Sequence, residues 1–249
     1  MNIIIKKNYR EMSKKAAEEV AQAIQNKPNL ILGLASGSTV IELYKILVEK
    51  SQKGELDFSQ VTTFNLDEYV GTQIYHSFMR EHLFSKINIK KENTFFPPED
   101  PAKTEIFEQL IQDKGGIDLQ ILGLGLNGHI AFNEPGSSFE SRTRIVNLTQ
   151  TTLSDNAKFF SDPSHIPGQA VTLGIADIME AKKILLLASG KEKSQIVSKA
   201  LKGPVTEEIP ASILQKHPDV TVLLDQEAAK LLEKESELSA WIDPSTIIN

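Results

Sequence analysis

Cysteine is absent from this chain of 249 residues. Its absence excludes disulfides, thiolate metal sites and a cysteine nucleophile together. An excess of positive charge is also missing, since 27 lysines and arginines face 33 acids, giving a net charge of −6. Nucleic-acid binding needs a basic footprint, so no such partner is expected. No apolar run approaches the roughly 20 residues of a membrane span. The amino end, Met1 to Arg10, holds only the short apolar run Ile3 to Ile5, less than the apolar region of a secretory signal. A soluble cytoplasmic protein with no membrane partner is therefore expected. Neither an H-E-x-x-H metal pattern nor a G-x-S-x-G nucleophile elbow occurs, and neither metal nor cofactor is expected.

What is present is a regular alternation. Short β-branched and leucine-rich runs at Leu30–Gly33, Val61–Asn65, Leu119–Leu122, Ala170–Leu173, Ile184–Ala188 and Val220–Leu224 read as strands. Helical periodicity fills the intervals at Tyr9–Gln25, Ser38–Glu49, Tyr75–Lys86, Thr104–Asp113, Ser194–Leu201 and Gln226–Glu235. Such alternation predicts an α/β protein, a single doubly wound domain over residues 1–249. Its sheet is mostly parallel, with helices on both faces in a Rossmann-like arrangement. No internal repeat, low-complexity tract or linker interrupts the pattern.

In open α/β sheets ligands sit beyond the carboxyl ends of the strands, and the residues there are unusual. After the first strand comes Ala35-Ser36-Gly37-Ser38-Thr39, ahead of a helix. A plain N-cap needs only one of these hydroxyls. Four small polar residues in a row point instead to a phosphate held by backbone N–H groups and a helix end. No lysine follows the glycine, so this is not a Walker loop. Lys193, after the fifth strand, reads either as a point charge for that phosphate or as a solvated surface lysine. Asp67-Glu68 follows the second strand. One of the two carboxylates reads as a general base for a C–H beside a carbonyl, or both as ordinary surface acids.

The most informative stretch runs from Leu122 to Thr143 and places His129 five residues before Glu134. A carboxylate can orient an imidazole for proton transfer, and glycines allow close approach of backbone to a ligand. Gly123, Gly125 and Gly128 spell G-x-G-x-x-G, the dinucleotide pattern. Pro135 and Gly136 break the helix that pattern requires, and Asn147 and Leu148 stand where a ribose-binding acid belongs. A nicotinamide cofactor is therefore not expected. The remaining histidines, His76, His82, His165 and His217, lie in helical or loop contexts without an acid cluster and read as structural or solvent-facing.

Taken together, Phe64-Asn65-Leu66-Asp67-Glu68-Tyr69, Gly128-His129-Ile130-Ala131-Phe132-Asn133-Glu134-Pro135 and Ser141-Arg142-Thr143-Arg144 carry a resemblance. The chain, from about Leu32 to Asp225, resembles the glucosamine-6-phosphate deaminases of the glucosamine/galactosamine-6-phosphate isomerase family. The resemblance implies conversion of glucosamine 6-phosphate and water to fructose 6-phosphate and ammonia through ring opening and an enolamine. It implies that Asp67 moves a proton between C2 and C1, and that His129 opens the pyranose ring with Glu134 holding and tuning it. Ser36, Gly37, Ser38, Thr39, Lys158 and Lys193 become the phosphate clamp of an amino sugar phosphate site.

Three positions depart from that family. Asn127 replaces an aspartate before the Gly-His pair, and an amide cannot stabilise imidazolium as an anion does. Glu134 is then expected to carry that role, with Asn127 holding the ring. Lys158 replaces an arginine and lacks its bidentate fork. The segment after Gly71 is shorter, which alters the pocket rim. Galactosamine 6-phosphate is a second candidate substrate, because one epimeric hydroxyl need not leave a motif. A 6-phosphogluconolactonase and a non-catalytic sugar-phosphate sensor are rival functions for such a chain. Tyr69 and Phe132-Asn133-Glu134 point away from the lactonase, and the combination of Asp67, His129 and Glu134 away from the sensor. A monomer or small homo-oligomer is expected.

Larger relatives are allosteric hexamers whose effector site uses a lysine and a threonine after the second arginine. Val146 and Asn147 stand there. Rate curves with and without N-acetylglucosamine 6-phosphate are expected to coincide. A sigmoidal curve that the compound straightens would contradict this.

Overall fold

The computed structural model describes residues 1–149, 152–153 and 167–232. Ten strands are defined there: β1 Asn2–Lys6, β2 Ile31–Leu34, β3 Thr62–Asn65, β4 Asp67–Tyr69, β5 Thr94–Phe95, β6 Leu119–Gly123, β7 Arg144–Asn147, β8 Gln169–Thr172, β9 Ile184–Ala188 and β10 Val220–Asp225. The helices are α1 Tyr9–Asn26, α2 Ile41–Gln52, α3 Ile74–His82, α4 Thr104–Asp113, α5 Ile175–Met179, α6 Ser194–Lys202 and α7, residues 226–232. No helix among the described residues is long and apolar enough to cross a membrane.

Seven strands form one parallel sheet in the order β1-β10-β9-β6-β2-β3-β5. From β2 the chain winds outward through β3 to β5, then returns to the other side with β6, β9 and β10. With right-handed crossovers, that reversal makes the sheet doubly wound. Its central strands are covered on both faces, so they read as continuous apolar runs. Leu185, Leu186 and Leu187 of β9 are completely buried, as are Val222, Leu223 and Leu224 of β10. Helix α1 presents Met12, Ala16, Ala17, Val20 and Ile24 to this core at helical spacing. Its N-terminus is capped by the Asn8 side chain, which accepts from Glu11 N at 3.0 Å.

Three strands lie elsewhere. β4, β8 and β7 make a separate antiparallel sheet in that order, with Asp67 and Arg144 both opposite Thr172. Asp67-Glu68-Tyr69, which follows the second expected strand, is itself a strand, and Ala170–Leu173 contributes β8 to this small sheet rather than to the main one. The chain crosses between sheets at Leu66. Its N–H donates to Leu34 O in the main sheet, and its carbonyl accepts from Leu173 N beside the small one. Strand β1 was also outside the expected set, because its apolar residues gain meaning only from pairing with β10 at the sheet edge. Expected helix Ser38–Glu49 begins with a 3₁₀ turn, Ser38–Val40, before α2. Expected helix Tyr75–Lys86 ends its α-helical part at His82. Residues 233–235 of the expected last helix lie outside the described residues.

Strands β2 and β6 pair only through Leu32–Leu119 and Gly33–Gln120 and then part. At the second pair the side chain of Gln120, itself fully buried, lies over Gly33, where a Cβ would stand 2.0 Å from Gln120 Oε1. Gly33→Ala is expected to cost about 1–3 kcal/mol in urea denaturation. In the Gln120→Ala background most of that cost disappears. Additive losses across the double-mutant cycle would contradict the packing described.

Candidate active site

The parting of β2 and β6 opens a cavity of about 380 Å³ at the carboxyl edge of the main sheet. That volume suits a small ligand. All four polar segments expected at the strand ends contribute to its lining: Ser36 to Thr39, Asp67, Gly123 to Leu126 with His129, and Ser189 with Glu192 and Lys193. Of the expected site residues, Asn127 and Glu134 stand behind this lining. Lys158 lies outside the described residues.

The Ser36–Thr39 segment does not spend its hydroxyls on capping. Neither the 3₁₀ turn at Ser38–Val40 nor α2 has a side-chain cap. Ser36 Oγ is buried with no hydrogen-bond partner among the described residues. The segment is pinned from outside by Tyr9 of α1, whose hydroxyl donates to Ser38 O at 3.0 Å and accepts from Glu42 N at 3.2 Å. Opposite, Lys193 Nζ donates to Leu124 O at 2.7 Å, so its ammonium is directed to the β6 side of the cavity rather than outward. These hydroxyls, backbone groups and the cation suit an anion.

Strand alternation separates the two neighbouring acids. Asp67 faces the cavity. Glu68, 1% exposed, faces away and accepts from Tyr69 N at 2.9 Å, Tyr75 N at 3.1 Å and His76 N at 2.9 Å, and pairs with His76 Nδ1 at 2.9 Å. It thus holds the N-terminus of α3 and with it Tyr75, which lines the cavity. Asp67 has lost most of its water. Burial first, and the charge of Glu68 second, push its carboxyl up to about 8. Burial, with Asp67 nearby, likewise raises the Tyr75 phenol, which stays protonated.

His129 is not held by Glu134 directly. Its Nδ1 lies 2.7 Å from Asn127 Oδ1, and Asn127 Nδ2 donates to Glu134 Oε2 at 2.6 Å. The imidazole and carboxylate themselves are 3.8 Å apart. A carboxylate only accepts, which fixes the amide orientation: its NH₂ faces Glu134 and its carbonyl faces the ring. The neutral imidazole therefore carries its proton on Nδ1 and its lone pair on Nε2. The second oxygen of Glu134 accepts from the buried Thr152 hydroxyl.

The loop bearing this relay is tied to the small sheet. Phe132 N donates to Thr172 Oγ1 at 3.1 Å. Asn133 donates to Leu173 O at 2.8 Å and accepts from Arg144 Nη1 at 2.9 Å. Arg142 binds Asp177 at 2.8 Å and Glu180 at 2.6 Å. The Ser141–Arg144 motif thus builds the frame and not the cavity wall. His76 stacks on Phe96, and His217 is buried against Ala181 O, in keeping with structural roles. His165 lies outside the described residues. Among the described residues no group of three or more metal-ligating side chains is gathered.

Two residues of the site, Tyr75 and Thr152, do not stand out in the sequence, and Phe132 stands out only as part of the family motif. Tyr69, Tyr75 and Phe132 form an aromatic cluster with ring centroids 5.2–6.0 Å apart, two of them in the cavity wall. The signal that points to Tyr75 is Glu68 itself, a carboxylate shortly before a helix start.

Known proteins resemble the chain over most of its length. The family model for glucosamine-6-phosphate isomerases/6-phosphogluconolactonase matches residues 6–223. A glucosamine-6-phosphate deaminase of Thermoanaerobacter pseudethanolicus is 50% identical over 244 residues, covering 94% of this chain and 96% of its own. Glucosamine-6-phosphate deaminase 2 of Bacillus subtilis is 50% identical over 247 residues, covering 95% and 99%. A solved structure of a monomeric glucosamine-6-phosphate deaminase superposes with a TM-score of 0.90 at 42% identity, covering 93% of this chain and all of that one. The 6-phosphogluconolactonase of Trypanosoma brucei, at 21% identity and a TM-score of 0.73 over 93% of this chain and 98% of that one, shares the fold.

The His129 ring lies over Gly125, where a Cβ would stand 2.3 Å from its Cε1 and Nδ1. Gly125 N also donates to His129 O at 2.9 Å. Gly125→Ala is expected to displace the imidazole and lower kcat by about 10²-fold, while circular dichroism remains that of the parent. Undiminished turnover would show that the ring position does not matter.

Proposed function

The chain belongs to the family of glucosamine-6-phosphate isomerases and 6-phosphogluconolactonases, and we propose that within it the chain converts glucosamine 6-phosphate and water to fructose 6-phosphate and ammonia. The observation that carries this reading is the sharing of one cavity by a desolvated carboxyl, an imidazole of fixed tautomer and an anion loop.

The phosphate is bound by Ser36, Gly37, Ser38 and Thr39 with Lys193, which leaves the sugar to extend toward Asp67 and His129. We assign Lys158 to the same clamp from the family resemblance. His129 Nε2 takes the proton of the anomeric hydroxyl and returns it to the ring oxygen, opening the pyranose to the aldehyde. Asn127 holds the ring for this step, and Glu134, one residue removed, supplies the negative charge that favours transient imidazolium. Asp67, as carboxylate, then removes the C2 proton while the aldehyde oxygen takes up a proton, giving the enolamine. It delivers the C2 proton to C1 as the amino nitrogen gives one up, so that the net proton gained by O1 is the one lost by nitrogen. The product of that transfer is the 2-imine of the ketose. Water adds to the C=N carbon, and ammonia leaves from the resulting carbinolamine. A base whose conjugate acid lies near 8 is well matched to a weakly acidic C–H. In water an ordinary aspartate would be about four powers of ten less basic.

We further read the protein as one domain over residues 1–249, cytoplasmic, and a monomer or small homo-oligomer, supported by the monomeric state named for the related structure. Incubation with glucosamine 6-phosphate is expected to release ammonia and fructose 6-phosphate in equal amounts. Asp67→Asn should lower kcat by roughly 10²–10⁴-fold. No ammonia from the parent, or full turnover in the variant, would overturn the reading.

A further inference from the structure

Asp225, at the end of β10, is buried at 6% exposure and lies outside the cavity lining. Its carboxylate collects donors from two elements. Ser189 Oγ donates to Oδ2 at 2.5 Å, and Gly190 N lies 3.1 and 3.2 Å from the two oxygens. Ala228 N, in the first turn of α7, donates to Oδ1 at 2.8 Å. Asp225 therefore clamps the segment after β9 to the start of α7. That segment continues as the 3₁₀ turn Lys191–Lys193, closed by Lys193 N donating to Gly190 O at 3.1 Å. Ser189, Glu192 and Lys193 are its contributions to the cavity.

A carboxylate near an anion site opposes binding by its charge. Its value in that place is geometric, and its charge is met by hydrogen bonds from the groups it fixes. We propose that Asp225 is a positioning residue that holds the Ser189–Lys193 turn so that Lys193 meets the substrate phosphate. The proposal rests on the reading of Lys193 as part of the phosphate clamp.

Asp225→Ser separates the two halves of the clamp. Serine still caps α7 but cannot also hold Ser189 and Gly190. The variant is expected to raise KM for glucosamine 6-phosphate, and the inhibition constant of inorganic phosphate, by about tenfold, with kcat within about twofold of the parent. Asp225→Asn, which keeps one acceptor, should raise both by about threefold. It also serves if the serine variant folds poorly. A merely structural role would reduce the amount of active enzyme and leave KM unchanged. Lys193→Met is measured beside these. If it raises KM while both Asp225 variants leave KM and the phosphate constant unchanged, the positioning role is overturned. If Lys193→Met itself leaves KM unchanged, the phosphate reading fails, and the inference with it.

Discussion

The site and its surroundings depend on the parting of β2 from β6. Two pairs of residues join these strands, and beyond Gly33 and Gln120 the main sheet is forked. The fork lies where the winding direction reverses, so the chain leaves β2 and β6 in opposite directions and cannot fill the space between them. The segments after β2, β6 and β9 line that space as irregular backbone. Strand β3 hands the chain to the small sheet at Leu66, which brings Asp67 over the opening. The small sheet in turn holds the His129 loop through Phe132 and Asn133. Two sheets thus fix Asp67 and His129 on rigid elements, while the Ser36–Thr39 segment stays on the main sheet.

Electrostatics at the site divide by how well burial is compensated and not by depth. Glu68 is deeper than Asp67, yet three backbone N–H groups and His76 satisfy it. Asp67 has burial without that compensation among the described residues. Its carboxyl is raised by the loss of water and then by its neighbour's charge. The imidazole side is arranged differently. An uncharged amide meets the ring and a carboxylate stands behind it, so the tautomer is fixed by hydrogen-bond polarity alone and charge acts across 3.8 Å. One arm of the site is tuned by desolvation and the second by a relay.

Much of this was legible in the sequence, for physical reasons. Strands buried on both faces, such as Ile184–Ala188, announce themselves as unbroken apolar runs, and the polar residues that follow them mark the ligand edge. The small sheet was hidden because Asp67–Tyr69 and Arg144–Asn147 are short and rich in polar residues. They become strands only by pairing with β8. The residues alone did not divide Asp67 from Glu68, since alternation separates them only once the segment is known to be extended, and only the family resemblance singled out Asp67. Asn127 was visible as a departure from the family, but its bridging position depends on two hydrogen bonds that spacing does not specify. Thr152 and Asp225 act across long sequence separations and leave no local signal.

The architecture keeps Asp67 desolvated and therefore strongly basic. Carbon-13 NMR titration of the Asp67 carboxyl, assigned by comparison with Asp67→Asn, tests it directly. A desolvated carboxyl should titrate with a midpoint near 8 in the ligand-free protein. A midpoint near 4, where solvated aspartates titrate, would show the carboxylate to be hydrated and would contradict that claim.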